Sequence, residues 1–297
     1  MAIGIALLSA LLRSLLNLID RKTFGLQQRH VFATLVVNNL LPLGWLLILL
    51  PAMGEFGIFI NYLGDVRFII LGFITQLTAL VFSLAFKQLK VAEVVVTAKA
   101  ADVIIPLAFF FSGEDLNWLG FSGSVLTTLV CLPLFSMQLF HHSRVVWVVV
   151  AMLFLVVVQA TATTAWLPMN EVYWQTLLPV TTVIIFWRLV TAMILPLFVL
   201  QARPSRALAT RWRDFRPDNL QVSRSVITLL VQLTFVWAVF EGRSNLLIWP
   251  ILNSTILFSI VLSGLILKEA VDRKYWMAAL AILFIVSSIS LLQGFST

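Results

Sequence analysis

The chain has 297 residues, of which 61% are hydrophobic and 11% charged, and its mean hydropathy is +1.02. A soluble domain carries about a quarter charged residues, so this composition excludes a water-soluble globular protein and leaves an integral membrane protein. The net charge of +7 is no nucleic-acid signal, because the basic residues gather in short loops between apolar runs.

Ten runs are long and apolar enough for a membrane helix of about 20 residues. In chain order they lie near 2–19, 31–50, 66–86, 91–111, 117–138, 144–165, 180–200, 224–240, 246–267 and 275–293. The strands of a membrane barrel would show short segments of alternating hydrophobicity, and these runs are continuously apolar. The expected fold is therefore an all-α membrane protein with ten transmembrane helices and no soluble domain. The first run lacks a basic n-region and a small-residue cleavage site before Asp20, which reads as a retained helix and not a signal peptide.

Several chemistries find no support in this pattern. Cys131 is the single cysteine, and His30, His141 and His142 stand in loops without metal-ligand spacing, so no metal and no cofactor are expected. A membrane-embedded enzyme would want a cluster of His, Asp or Arg at one membrane face, and pairs such as His141–His142 or Glu114–Asp115 are too sparse for that. There is no GxxxxGK[ST] sequence for direct ATP use.

Charge sets an expected orientation. Of the 20 Lys and Arg residues, 15 fall in the loops that follow odd-numbered runs, against Arg67 and Arg243 on the other side. The positive-inside rule places the basic loops in the cytoplasm and both termini in the periplasm, in a cell inner (plasma) membrane. The long basic loop 203–217 suits an interfacial segment on anionic lipid.

The sequence also repeats. Gln76-Leu-Thr and Gln232-Leu-Thr each open a similar stretch, which places Lys87 opposite Arg243, and Glu114 then parallels Glu269. Two units of five helices, residues 1–139 and 140–297, would be inverted relative to each other, as in secondary transporters whose sites lie near the bilayer midplane.

The first half has an Ala-Phe-Lys near the end of the third run, then Pro106 followed by Gly113-Glu114-Asp115 and by Gly120 and Gly123. The second half has Trp187-Arg188-Leu189 with Ala192, and Leu267-Lys268-Glu269. With these motifs the chain resembles the EamA type of the drug/metabolite transporter superfamily. Asn38-Asn39 stands where the family's first half often has an arginine, and Val261 replaces its second-half proline. The resemblance implies a 5+5 inverted-repeat metabolite transporter, often an exporter, and names no substrate.

The ionisable groups inside the apolar runs carry the functional expectation. Lys99 and Asp102 lie at i and i+3 in the middle of VAEVVVTAKAADVIIPLAFFF, where each costs roughly 2.5 to 3.5 kcal/mol to insert. They read either as a structural ion pair or as an anion hook, Lys99, tuned or coupled to protons by Asp102. Arg13, on one face with Asn17 and Asp20, and Arg188 add positive charge to such a cavity, or else snorkel or pair structurally. Gln76, Gln232, Asn39 and Asn253 are candidate substrate ligands or interhelical glue, with Asn38 and Gln159 in the same position. Trp249, one turn before Asn253, is a candidate stacking platform or an interface anchor. Glu114, Asp115 and Glu269 read as helix-start caps.

Together these features point to a secondary active transporter, an exporter or exchanger, that moves a small anionic or zwitterionic metabolite by alternating access. An amino acid or a phosphorylated or carboxylated compound would suit it. The expected partners are that solute and the lipid bilayer, with protons a candidate coupling ion and the chain a monomer or homodimer. A lipid or lipid-carrier flippase on the same scaffold is the alternative.

Overall fold

The computed structural model describes residues 2–98, 101, 118–131, 133, 143–166, 173–202, 215, 217–241 and 254–295. Every regular element among them is helical: α1 (Ala2–Asp20), a π-helical turn (Arg21–Leu26), α2 (Val31–Ala52), α3 (Phe56–Leu63), α4 (Val66–Gln88) and α5 (Val91–Ala98). They are followed by α6 (Trp118–Cys131), α7 (Ser143–Trp166), α8 (Tyr173–Ala202), α9 (Asn219–Glu241), α10 (Thr255–Ile266) and α11 (Arg273–Phe295). Among the described residues, four segments, Val31–Ala52, Val66–Gln88, Arg144–Thr163 and Leu177–Pro196, are long and apolar enough to cross a membrane.

The distribution of side chains is that of a protein solvated by lipid. Ile48, Phe154 and Phe284 are 65 to 74% exposed, whereas Asn39 and Gln76 are at most 1% exposed. Water would penalise such an apolar surface, and a hydrocarbon surround favours it. The chain is a helical membrane protein.

Three details differ from the sequence reading. The short helix α3 occupies the stretch expected to be loop between the second and third runs, with Phe59 buried and Phe56 and Ile60 exposed. Helix α8 starts at Tyr173, not at residue 180, and runs through Pro179. A proline interrupts one hydrogen bond, and membrane helices tolerate that because no water competes for the remaining backbone groups. Helix α9 begins at Asn219, five residues earlier than expected, with Asp218 and Gln221 closing its first turn through paired hydrogen bonds of 2.9 and 3.3 Å.

The chain divides into two compact units, each combining segments from both halves of the sequence. The first comprises Met1–Gln27, Leu84–Val157 and Ile227–Thr297. Here α1 packs on α10, and α5 and α11 pack on α10 and on each other. Small residues permit the close approach of α1 and α10: Ala6, Ala10 and Ser14 on one, Thr255, Ser259 and Ser263 on the other, all buried at four-residue spacing. Polar bonds follow the same seam. Ser14 Oγ donates toward both Ala10 O (2.8 Å) and Thr255 O (3.0 Å), and Asn17 Nδ2 donates to Ser259 Oγ (3.1 Å).

The seam ends in an ion pair. Arg21 Nε donates to Glu269 Oε1 at 2.6 Å and Arg21 Nη1 to Phe86 O at 2.7 Å. The second oxygen of Glu269 accepts from Val91 N at 3.1 Å, so this carboxylate caps α5 and not the helix that follows it in sequence. Glu93 Oε2 accepts from Lys90 N (2.8 Å), the return half of a capping box on the same helix start. Gly25 leaves room for the guanidinium, since a Cβ there would lie 2.3 Å from Arg21 Nη1 and 2.7 Å from Phe86 O. Lys268 takes a left-handed conformation (φ 55) that turns the chain out of α10, and Glu269 N bonds back to Ser263 O at 3.3 Å.

The second unit comprises Gln28–Ser83 and Val158–Val226. Helix α8 packs against α2 and α3 around Leu50, Phe59, Phe68, Val180 and Val183. Trp187 of α8 packs on this core and donates its indole N–H to Leu63 O at 3.0 Å. Gly72 of α4 meets α8 directly: a Cβ there would come within 2.6 Å of Trp187 Cβ and 3.1 Å of Ile184 O. That contact sets the geometry of the site described next.

Candidate functional site

The most polar buried region of the second unit lies on α2 and α4. Asn38 and Asn39 are residues 8 and 9 of the 22 in α2, and Gln76 is residue 11 of the 23 in α4. At 1.5 Å per residue this is roughly 12 and 16 Å into their helices, near the middle of a hydrocarbon layer of about 30 Å. Water does not reach such groups at that depth, so they must pair or serve a purpose.

One hydrogen-bond chain fixes the orientation of two amides. Asn39 Nδ2 donates to Leu35 O and to Gln76 Oε1, both at 2.9 Å. A carbonyl accepts only from the amino end of an amide, so the bond to Leu35 determines which way Asn39 points, and Asn39 in turn determines Gln76. The amino group of Gln76 is left as an aimed donor: Nε2 is buried and makes no hydrogen bond among the described residues. Leaving such a group unsatisfied costs about 1–3 kcal/mol.

Arg188 belongs to the same neighbourhood. Gln76 follows Gly72 by one helical turn, and the Arg188 amide nitrogen would lie 3.3 Å from a Cβ at Gly72. The backbone of Arg188 therefore reaches α4 within about a turn, on the order of 10 Å, of Gln76. Thr191, one turn beyond Arg188, turns its hydroxyl onto Trp187 O (2.8 Å) and leaves the region's charge to Arg188. A fixed buried amide donor, on a stretch of α4 that the backbone of Arg188 also approaches, suits a ligand with a negatively charged or strongly accepting end.

The other residues singled out from the sequence fall elsewhere. Arg13 lies midway along α1 in the first unit, in an exposed position. Gln232, on α9 of the first unit, is exposed, so the two glutamines that the repeat pairs have unlike surroundings. Val231 is the inward residue of that turn. Asn17 serves the α1–α10 seam, and Gln159 is half-buried on α7. Lys99, Asp102, Trp249 and Asn253 lie outside the described residues, as do Glu114, Asp115, His141 and His142. Among the described residues no group of three His, Cys, Asp or Glu side chains could hold a metal.

Two features escaped the sequence reading. The Arg21–Glu269 pair joins residues 248 apart, and only a fold can show that. Pro42, by contrast, was visible: it stands four residues after Asn38, where its missing N–H leaves the Asn38 carbonyl without a helical donor. No family model matches the chain, and no curated protein matches it significantly.

Proposed function

We propose that the chain is a secondary active transporter of the EamA drug/metabolite type, built from ten helices as two inverted five-helix repeats, and that it moves a small anionic or zwitterionic metabolite by alternating access. The single observation that carries this reading is the Asn39–Gln76 amide pair at mid-depth in two apolar helices, with a buried Gln76 amino group that bonds to nothing described. Structural glue needs no spare donor, and a solute site does. Arg188 supplies the counter-charge, and Gln76 Nε2 supplies a directional contact to a carboxylate or phosphate oxygen. Protons are the proposed coupling ion.

Reconstitution tests the proposal. Purified protein in proteoliposomes should accumulate radiolabelled amino acids or carboxylates down an imposed pH or solute gradient, and Gln76→Leu should abolish the accumulation while the protein stays folded. A fluorescent-lipid scrambling assay on the same vesicles addresses the flippase alternative. Lipid scrambling without solute uptake would overturn the metabolite reading.

A further inference from the structure

Beside the amide pair, one face of α2 carries a second set of unused polar atoms. Thr34 and Asn38 stand one turn apart, 0% and 5% exposed. Thr34 Oγ1, Asn38 Nδ2 and Asn38 Oδ1 all lack a hydrogen-bond partner among the described residues. Threonine in a helix usually returns its hydroxyl to the carbonyl one turn back, as Thr75, Thr78 and Thr182 do here at 2.7 to 2.9 Å. Thr34 makes no such bond. Pro42, also buried, adds the Asn38 carbonyl to the set, because residue 42 has no N–H to offer it.

The inventory of these atoms is specific. It holds a hydroxyl that both donates and accepts, an amide with two donors and one acceptor, and a freed backbone carbonyl. None carries charge. A carboxylate alone would satisfy the donors and leave the acceptors Asn38 Oδ1 and Asn38 O facing it. A group with its own donor and acceptor, a hydroxyl or a carboxamide, satisfies both kinds.

We propose that Thr34, Asn38 and the carbonyl freed by Pro42 form a subsite for an uncharged donor–acceptor group of the transported solute, so that the substrate class is hydroxylated or carboxamide-bearing acids. This deepens the transporter reading and rests on it: the anionic end belongs with Gln76 and Arg188, the hydroxyl or carboxamide with α2. A site lacking the ligand hydroxyl leaves buried polar groups unpaired, which is how such sites reject deoxy analogues strongly.

Three measurements on the full-length protein test the subsite. In a Cys131→Ser background, Asn38→Cys should react with 2-sulfonatoethyl methanethiosulfonate in vesicles, because an anionic reagent reaches a mid-membrane cysteine only through a solute path. Absence of labelling there overturns the subsite. In detergent, Thr34→Val and Asn38→Leu should melt at the wild-type temperature or above, since each removes unsatisfied polar atoms. A fall of several degrees would mean that these atoms are permanently satisfied, and it too overturns the proposal. In proteoliposomes, malate should be preferred to succinate, and lactate to propionate, by tenfold or more, and Asn38→Leu should erase the preference while retaining uptake of the hydroxyl-free partner. A preference that survives Asn38→Leu refutes the assignment. If wild-type protein transports none of the four acids, the transport reading fails for this solute class, and the labelling and melting results still decide the subsite.

Discussion

Removing Glu269 should be among the most destabilising single changes outside the hydrophobic core. Its carboxylate is 7% exposed and its partner Arg21 14%, so solvent screens the pair little. Glu269→Ala leaves a largely buried guanidinium with, among the described residues, the Phe86 carbonyl as its remaining partner, a loss of about 3–5 kcal/mol for breaking one side of such a pair. That figure includes the lost cap on Val91 N, which alone is worth about 1 kcal/mol. The double variant Arg21→Met/Glu269→Leu removes the uncompensated charge and should recover most of the loss. It should remain about 1 kcal/mol below wild type, because no apolar residue at 269 can cap α5. Equilibrium unfolding in mixed micelles, followed by tryptophan fluorescence over the four-protein cycle, gives the coupling energy. A coupling under about 0.5 kcal/mol would refute the reasoning, since it is the value of a solvated surface pair.

Four further outcomes follow from the geometry. Gly72→Ala should cost about 1–3 kcal/mol by overpacking α4 against α8, because the added methyl meets Trp187 Cβ at 2.6 Å, and thermal unfolding measures it. Lys268→Gly should raise stability by about 1 kcal/mol in the same assay, as glycine accepts the φ of 55 without the strain a side chain adds. On the proposed function, Arg188→Ala should weaken binding of an anionic substrate about tenfold to a hundredfold in titration calorimetry; the sequence reading expects the same of Lys99→Ala, and expects Asp102→Asn to spare affinity and change its pH dependence. Near the α3 loop, two acids shift in opposite directions. The hydrogen bond from Arg67 holds Asp65 below the usual carboxylate range, so its contribution is present above about pH 4 and lost as pH falls through the lowered value. Burial raises Glu55, whose contribution is present below about pH 4 and lost as pH rises through the raised value. Asp65→Asn should therefore flatten the acid limb of a stability–pH curve, and Glu55→Gln should remove a decline just above it.

What was legible in the sequence is what an apolar background makes conspicuous. Amides such as Asn39 and Gln76 stand out in runs of Leu, Val and Phe, and their burial follows from that contrast. Helix positions were legible for the same reason, with α1, α2, α4 and α7 close to their expected bounds. Pairing was not. Asn39 reaches Gln76 across 37 residues, and Ser14 reaches the Thr255 carbonyl across 241, through the way helices lie against each other and not through local pattern. Gln232 is exposed where Gln76 is buried, because a shared tripeptide fixes spacing along a helix and not the face that the helix turns inward. The start of α8 was not legible either: the helix begins at Tyr173 and runs through Pro179, where the apolar run reads as beginning at residue 180.

The contrast between the two units bears on whether the amides of α2 and α4 are glue. In the first unit the seam side chains are satisfied: Ser14 reaches two carbonyls, Asn17 has Ser259, and both oxygens of Glu269 accept. In the second, Gln76, Asn38 and Thr34 each keep atoms that bond to nothing described. The same substitution chemistry should therefore have opposite signs in the two places. Ser259→Ala takes the acceptor from Asn17 Nδ2 and should lower stability by roughly 0.6–2 kcal/mol, the range for interhelical hydrogen bonds in membranes. Gln76→Leu takes one acceptor from Asn39, whose amino group keeps Leu35 O, and also removes a donor that costs about 1–3 kcal/mol while unsatisfied, so its net effect should be near zero or stabilising. Measured side by side in the same micelles, a destabilised Ser259→Ala beside an undiminished Gln76→Leu places the spare donor outside the fold's own needs. Equal losses in both would show that Gln76 is bonded in the native membrane and that the amide pair holds helices together as Ser14 and Asn17 do.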